Sequence, residues 1–246
     1  MHNRLIKLFF FSALLFTTLY IFSCATKSNE GPEVVVPVSE NPKPDTLKPD
    51  PNLIPQFVNT DYIELNKICS ISKFRSGVGH DYSDDFEHCR SMKHYFVPCD
   101  DENWSLVKIF SPVDGTVDRI FEEWAGTQVQ IKSDKYPQFI FILFHVNLIN
   151  PLKVGDKVSE GNQLGTHIGS QTMSDMAVVQ ITSSGRRMIS YFNLMTNSLF
   201  EKYQARGISA RNELIITAEA RNADPIFCNG QAFSSMGTIE NWVLLK

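Results

Sequence analysis

The stretch 111–169 decides the fold. It reads SPVDGTVDRI at 111–120, TQVQIKS at 127–133, FIFILFHVNL at 139–148 and NPLKVGDKVSEGNQLGTHIG at 150–169. β-Branched and aromatic residues dominate each piece, Asp-Gly and Gly-Asp pairs separate the pieces, and no helical period is present. The pattern predicts a small, strongly curved all-β unit with strands at 117–120, 129–131, 139–146, 157–158 and 164–168.

The first 24 residues predict export. A basic start is followed by an apolar run at 8–22, and Ile21-Phe22-Ser23-Cys24 has the form of a lipoprotein cleavage site. The run is short for a bilayer span, which favours a lipoprotein signal peptide over residues 1–24 with lipidation at Cys24. An uncleaved anchor is the alternative. Either case predicts a domain tethered to a bacterial cell envelope, at the outer membrane or cell surface.

Composition divides the rest of the chain into a tether and a folded part. Residues 25–55 are rich in Pro, Ser, Glu and Asp, and are predicted to be a disordered spacer. Residues 56–185 hold the β domain. Residues 186–246 are predicted to be a C-terminal extension, with a helix in 190–206 that ends at Gly207 and an edge strand near 241–246. The net charge of −4, without basic blocks, argues against nucleic acid as a partner.

Besides Cys24, four cysteines remain in this exported chain, an even number that predicts two disulfides in one of three connectivities. The pairing of Cys89 with Cys228 is favoured, because the final segment has few apolar anchors and a bridge to the body restrains a long loop. Cys69 with Cys99 then follows.

Three motifs carry a resemblance to a known family: DGTV at 114–117, the strand FIFILFHVNL, and VGDKVSEG at 154–161. Together they resemble the lysostaphin-type (LytM-like) zinc endopeptidases and, more weakly, the biotinyl/lipoyl carrier domains. The resemblance covers 77–181 and implies a duplicated hybrid motif fold, a hammerhead-like curved antiparallel sheet. A carrier role is disfavoured, since the exported compartment lacks the cytoplasmic ligases.

The resemblance also implies a metal site. His80 and Asp84 match the family's HxxxD zinc motif, and His145 matches its catalytic histidine. Zinc ligands lie ~2.0–2.2 Å from the ion, whereas residues four apart on a straight strand are separated by ~13 Å. His80 and Asp84 can therefore share a metal ion only if the chain turns between them.

The resemblance breaks at the family's HxH motif, whose positions are assigned to Met176 and Val178. Neither side chain is a useful zinc ligand. The sequence thus predicts a degenerate member that holds zinc weakly or not at all. A replacement third ligand, His94, His88 or Glu87, is the open alternative.

Two functions follow from the resemblance. The first is an envelope lipoprotein that has lost peptidase activity and binds peptidoglycan peptides or regulates an envelope hydrolase. The second is an active zinc endopeptidase with an unusual third ligand such as His94. Glu87, Arg90 and Lys93 are candidates for a substrate groove, or alternatively for a surface held by ion pairs.

Overall fold

A computed structural model describes residues 54–246 of the chain. The predicted signal peptide, Cys24 and nearly all of the predicted tether lie outside the described residues. Within 54–246, no helix is long and apolar enough to cross a bilayer.

The elements are mostly short strands, as expected for a chain with frequent turn residues and β-branched segments. The strands are β1 Ile68–Ser72, β2 His94–Pro98, β3 Lys108–Phe110, β4 Gly115–Glu123, β5 Gly126–Ser133, β6 Phe139–Leu148, β7 Lys157–Val158, β8 Gln163–His167, β9 Ser174–Thr182, β10 Gly185–Ile189, β11 Cys228–Asn229, β12 Ala232–Phe233 and β13 Trp242–Leu244. The α-helices are α1 Tyr191–Leu194, α2 Asn197–Gln204 and α3 Ala218–Ala223, and 3₁₀ turns occur at Leu65–Lys67, Trp104–Leu106 and Arg211–Leu214.

One antiparallel sheet organises the described residues, in the order β13-β1-β2-β9-β6-β5-β4-β7. β10 pairs with β9, and β8 joins β3 to β6. The five strands predicted in 111–169 correspond to β4 through β8. The predicted class, a mainly β domain with a curved antiparallel sheet and a helical C-terminal extension, is confirmed.

The centre of the sheet is covered on both faces. Phe141, Met176 and Val178 belong to the larger apolar core, whereas Ile142 and Ala177 belong to a smaller one on the opposite face. This division follows from the alternation of side chains along β6 and β9. The near-continuous apolar composition of both strands therefore reflects burial on two sides.

The C-terminal segment differs in detail from its prediction. The helix expected in 190–206 is broken into α1 and α2, because Met195 has an extended backbone and Thr196 starts a new helix by accepting a hydrogen bond from Leu199 N. Gly207 follows α2 with φ +92°, as expected of a C-terminal stop. The predicted boundary at 185/186 falls inside β10, and the segment beyond it adds strands β10 and β13 to the sheet.

Both predicted disulfides form. Cys69–Cys99 links β1 to the residue after β2, and Cys89–Cys228 links the 75–95 segment to β11 across 139 residues of sequence. Strands β11 and β12 pair with each other to form a separate C-terminal hairpin. The second bridge therefore fastens this C-terminal hairpin to the segment that carries His80.

Candidate functional site

A bulge in β6 aims His145 at a cavity. Thr127 pairs with Val146 and Val129 pairs with Leu143, so two residues of β5 span three of β6. His145 takes up the extra residue with φ +60°, an unusual value for a residue other than glycine. Because a bulge re-aims a side chain, His145 leaves the core face that Val146 occupies and joins the face of Phe144. Strain of this kind is common at functional sites.

The face of β9 that looks toward His145 carries Asp175, not the residues assigned from the sequence. Met176 and Val178 are completely buried in the larger core. Asp175 and Ala177 alternate with them and lie on the other face. The assignment of the HxH positions to Met176 and Val178 as site-facing residues is therefore corrected by one residue.

The cavity has a volume of about 540 Å³. His80, Lys93, His145 and Asp175 are its titratable core, and Glu123 lies at its edge. The remaining lining residues are Gly79, Tyr82, Tyr95, Trp124, Gln128, Phe144, Thr172 and Met173. Of the three residues that the resemblance assigns to one site, His80 and His145 line this cavity and Asp84 does not.

Four side chains form a chain of contacts across the floor of the cavity. Lys93 Nζ donates to Asp175 Oδ2 at 2.7 Å and lies 3.4 Å from His80 Nε2. On the other side, His145 Nε2 lies 3.2 Å from Asp175 Oδ1. Asp175 is fully buried, and the Lys93 side chain is 3% exposed. A single carboxylate therefore faces two potential cations in a poorly solvated place.

These contacts set the charge states. Burial alone would raise the pKa of Asp175, but the charge of Lys93 and the contact with His145 outweigh it and hold the pKa below its ordinary value. Burial alone would lower the pKa of His145, but Asp175 and the carbonyl of Ala125 raise it. Both ring nitrogens of His145 face acceptors, which is the arrangement that favours an imidazolium.

Asp84 lies outside this cavity and serves the backbone of its own loop. Its Oδ1 accepts from the amides of Phe86 and Glu87, and its Oδ2 accepts from the amide of Met188 in β10. These bonds hold the loop around residues 80–90, hereafter the 80s loop, against strand β10 at the edge of the sheet. The expected pairing of Asp84 with His80 around one metal ion is therefore not what the described residues form.

His94, the proposed third zinc ligand, is a core residue. Its Nδ1 is 2.8 Å from Ser72 O, its Nε2 is 2.8 Å from Ser190 Oγ, and its ring packs against Phe192. Burial lowers its pKa to about 4. With both nitrogens engaged, His94 has no lone pair to offer the cavity, and His88, the other histidine alternative, is exposed.

Glu87 and Arg90 follow the alternative interpretation of an ion-paired surface. Glu87 accepts from both Arg75 and Arg90 at 2.6 Å. Of the three groove candidates, Lys93 alone lines the cavity that holds His80 and His145.

The donors in the cavity do not fit zinc as it was inferred from the sequence. Within the described residues, no group of three His, Cys, Asp or Glu side chains is placed to hold a metal ion. His80 Nε2 and Asp175 Oδ2 both face the ammonium of Lys93 instead. A second cation at that point would be opposed by the first.

Sequence reasoning missed Asp175 and the aromatic residues around it. One signal was present: Asp175 is the only charged residue in the mostly apolar run 173–181, and a buried acid requires a partner. Trp124, at the tip of the β4–β5 hairpin, is 80% exposed with its ring centroid 6.2 Å from that of His145. An aromatic ring so placed beside a cavity is typical of a binding surface.

No protein-family model matches the sequence, and no curated protein matches it. Solved structures do show similarity. A candidate glycyl-glycine endopeptidase lytM from Ruminococcus gnavus ATCC 29149 is 14% identical, with a TM-score of 0.33 over 42% of this chain and 43% of that chain.

Two further structures are similar. A chain of the SpoIIQ–SpoIIIAH pore-forming complex is 12% identical, with a TM-score of 0.41 over 61% of this chain and 98% of that chain. Lysostaphin is 14% identical, with a TM-score of 0.30 over 48% of this chain and 52% of that chain. The first and third matches thus span about half of the neighbour's length. Likenesses this partial carry no argument about function.

Proposed function

We propose that this protein is an envelope lipoprotein with a degenerate LytM-like domain that binds peptidoglycan peptides without cleaving them. The observation that carries the proposal is the buried ion pair of Lys93 with Asp175 at the floor of the cavity. It supplies a fixed positive charge where peptide hydrolysis by a metal would need an exchangeable ion and its water.

The walls of the cavity support a peptide ligand. Tyr82 and Trp124 offer ring surface, while Glu123, whose Oε1 accepts a hydrogen bond from Gln128, offers a carboxylate. A mixture of apolar surface and a few polar groups is what ligand sites present. Peptidoglycan peptides combine short aliphatic side chains with amide, amine and carboxylate groups. Their mixed apolar and polar character is complementary to this lining.

The alternative of an active zinc endopeptidase is less well supported. It needed a replacement ligand, for which His94, His88 and Glu87 were the candidates. His94 is hydrogen-bonded within the core, His88 is exposed, and Glu87 is paired with two arginines. The other alternative, control of an envelope hydrolase, uses the same cavity or its rim and becomes an outcome of the test below.

Co-sedimentation of the full-length protein with insoluble cell wall tests the proposal. Trp124→Ala should reduce the bound fraction severalfold, because its ring borders the cavity. Phe121→Ala is the matched control: Phe121 is 46% exposed on the same hairpin but lies outside the lining. Wall incubated with the protein should release no new peptide fragments by mass spectrometry.

Two results would oppose the proposal. Release of peptide fragments that a chelator prevents would establish the peptidase alternative. Equal sedimentation of both variants with the wild type would remove the cavity as the wall-binding site and favour a protein partner.

A further inference from the structure

The ammonium of Lys93 has the surroundings of a bound cation. It donates to a carboxylate oxygen, contacts an imidazole nitrogen, and lies 3.7 Å from the centroid of the Phe144 ring and 4.5 Å from that of Tyr82. Ring faces attract cations, particularly desolvated ones. Lys93 is therefore held by the same classes of group that hold an exogenous ion.

The tautomer of His80 is decided by its neighbours. Its Nδ1 is 2.9 Å from the carbonyl oxygen of Asp81, which can only accept, so Nδ1 carries the hydrogen. Nε2 is then a lone pair directed at Lys93. A neutral imidazole nitrogen and a carboxylate oxygen are also the ligand atoms that zinc uses.

We propose that Lys93 is a built-in substitute for a metal ion, and that replacing it with a small uncharged residue turns His80, Asp175 and His145 into a divalent-metal site. This inference does not depend on which ligand the cavity binds. The set differs from the one implied by the family resemblance, because it uses Asp175, on the strand assigned to the HxH motif, in place of Asp84 and takes no ligand from Met176 or Val178.

Distances explain why the site excludes metal while Lys93 is present. Lys93 Nζ is 2.7 Å from Asp175 Oδ2 and 3.4 Å from His80 Nε2, longer than the ~2.0–2.2 Å of zinc bonds. Around the smaller ion, Asp175 Oδ2 must move closer by roughly 0.6 Å and His80 Nε2 by roughly 1.3 Å, which they can do only after the lysine side chain is gone. His145, whose Nε2 lies 3.2 Å from Asp175 Oδ1, becomes the third ligand only if its ring turns toward the ion.

Zinc affinity of the full-length protein, measured by calorimetry with a competing chelator, tests the proposal. Lys93→Ala should bind one zinc ion at least tenfold more tightly than the wild type. The gain should disappear in Lys93→Ala combined with His80→Ala. Lys93→Arg keeps the positive charge and should bind no better than the wild type.

Each other outcome has a defined meaning. Equal affinity in Lys93→Ala and the wild type overturns the proposal, as does tight stoichiometric zinc in the wild type. If Lys93→Ala does not fold without metal, zinc should restore folding, because the ion replaces the missing charge. Lys93→Ser, whose hydroxyl can donate to Asp175, is the second variant. Failure of zinc to rescue either variant also overturns the proposal.

Discussion

Lys93 Nζ and Asp175 Oδ2 lie 2.7 Å apart, and the two side chains are buried between the sheet and the 80s loop. Removing two charges from water costs several kcal/mol for each ion, and their attraction offsets this only when the remaining donors and acceptors are also satisfied. Here His80 Nε2 lies 3.4 Å from Lys93 Nζ and His145 Nε2 lies 3.2 Å from Asp175 Oδ1, contacts that do not fully satisfy Asp175 Oδ1. The pair is thus better explained by the site it builds than by stability.

Asp175→Asn should be the most destabilising single change in the cavity, because it leaves Lys93 and His145 buried without a counter-charge. We expect a loss of roughly 3–5 kcal/mol in the free energy of unfolding by urea. Lys93→Met should cost less, since Asp175 retains His145. Asp134→Asn, in an exposed pair with Lys157, is the control and should change little. Equal small losses for all three would show that the buried network is not formed.

The pKa values of His145 and His94 should be shifted in opposite directions from that of a free histidine. The pKa of His145 is raised above 6.5, whereas burial lowers that of His94 to about 4. The stability that His145 contributes is therefore present below pH 6.5 and lost as the pH rises through its folded pKa. The stability linked to His94 is present above pH 6.5 and lost as the pH falls toward 4.

Nuclear magnetic resonance of the ring protons, from pH 3.5 to 9, measures both values. The urea-unfolded protein is the reference, with both histidines near ~6.5. A folded-state value near 6.5 for His94 would contradict its place in the core.

The Cys89–Cys228 bridge should matter more than Cys69–Cys99. In the chain-entropy picture, closing 139 residues rather than 30 adds roughly 1 kcal/mol to a typical 2–5 kcal/mol per bridge. The paired changes Cys89→Ser with Cys228→Ser should also speed proteolysis of the 75–95 segment, which loses its tie to the C-terminal hairpin. The matched Cys69→Ser with Cys99→Ser variant should leave that segment protected. Faster proteolysis of the 75–95 segment in the Cys69→Ser, Cys99→Ser variant alone would show that Cys89–Cys228 is not the bridge that holds this segment.

The strands within 111–169 could be predicted from the sequence because β-branched runs and turn residues are local signals. The side chains of β9 that face the cavity could not be predicted, since a shift of one residue exchanges every side chain between the two faces. Asp175 rather than Met176 faces the site because Met176 pairs with Leu143 and His94, and that register depends on the whole sheet.

Contacts between residues distant in sequence could likewise not be predicted from the motifs. His80 and His145 were found by resemblance, but the partner of Lys93 lies 82 residues away and no spacing rule links them. Asp84 matched the spacing of a metal motif, yet its two oxygens accept hydrogen bonds from the backbone amides of Phe86, Glu87 and Met188. A short motif identifies candidate site residues, but it does not determine which hydrogen-bond partners they have in the folded protein.

The contacts of His80 make its Nε2 an unprotonated acceptor for Lys93 that is closed to metal. The ¹⁵N shifts of the His80 ring test this in the wild-type protein, recorded with a chelator and then with one equivalent of zinc. We expect a ring that carries its hydrogen on Nδ1 and not on Nε2, with shifts unchanged by zinc. A stoichiometric zinc-induced shift of Nε2 would show instead that His80 binds the metal while Lys93 is present.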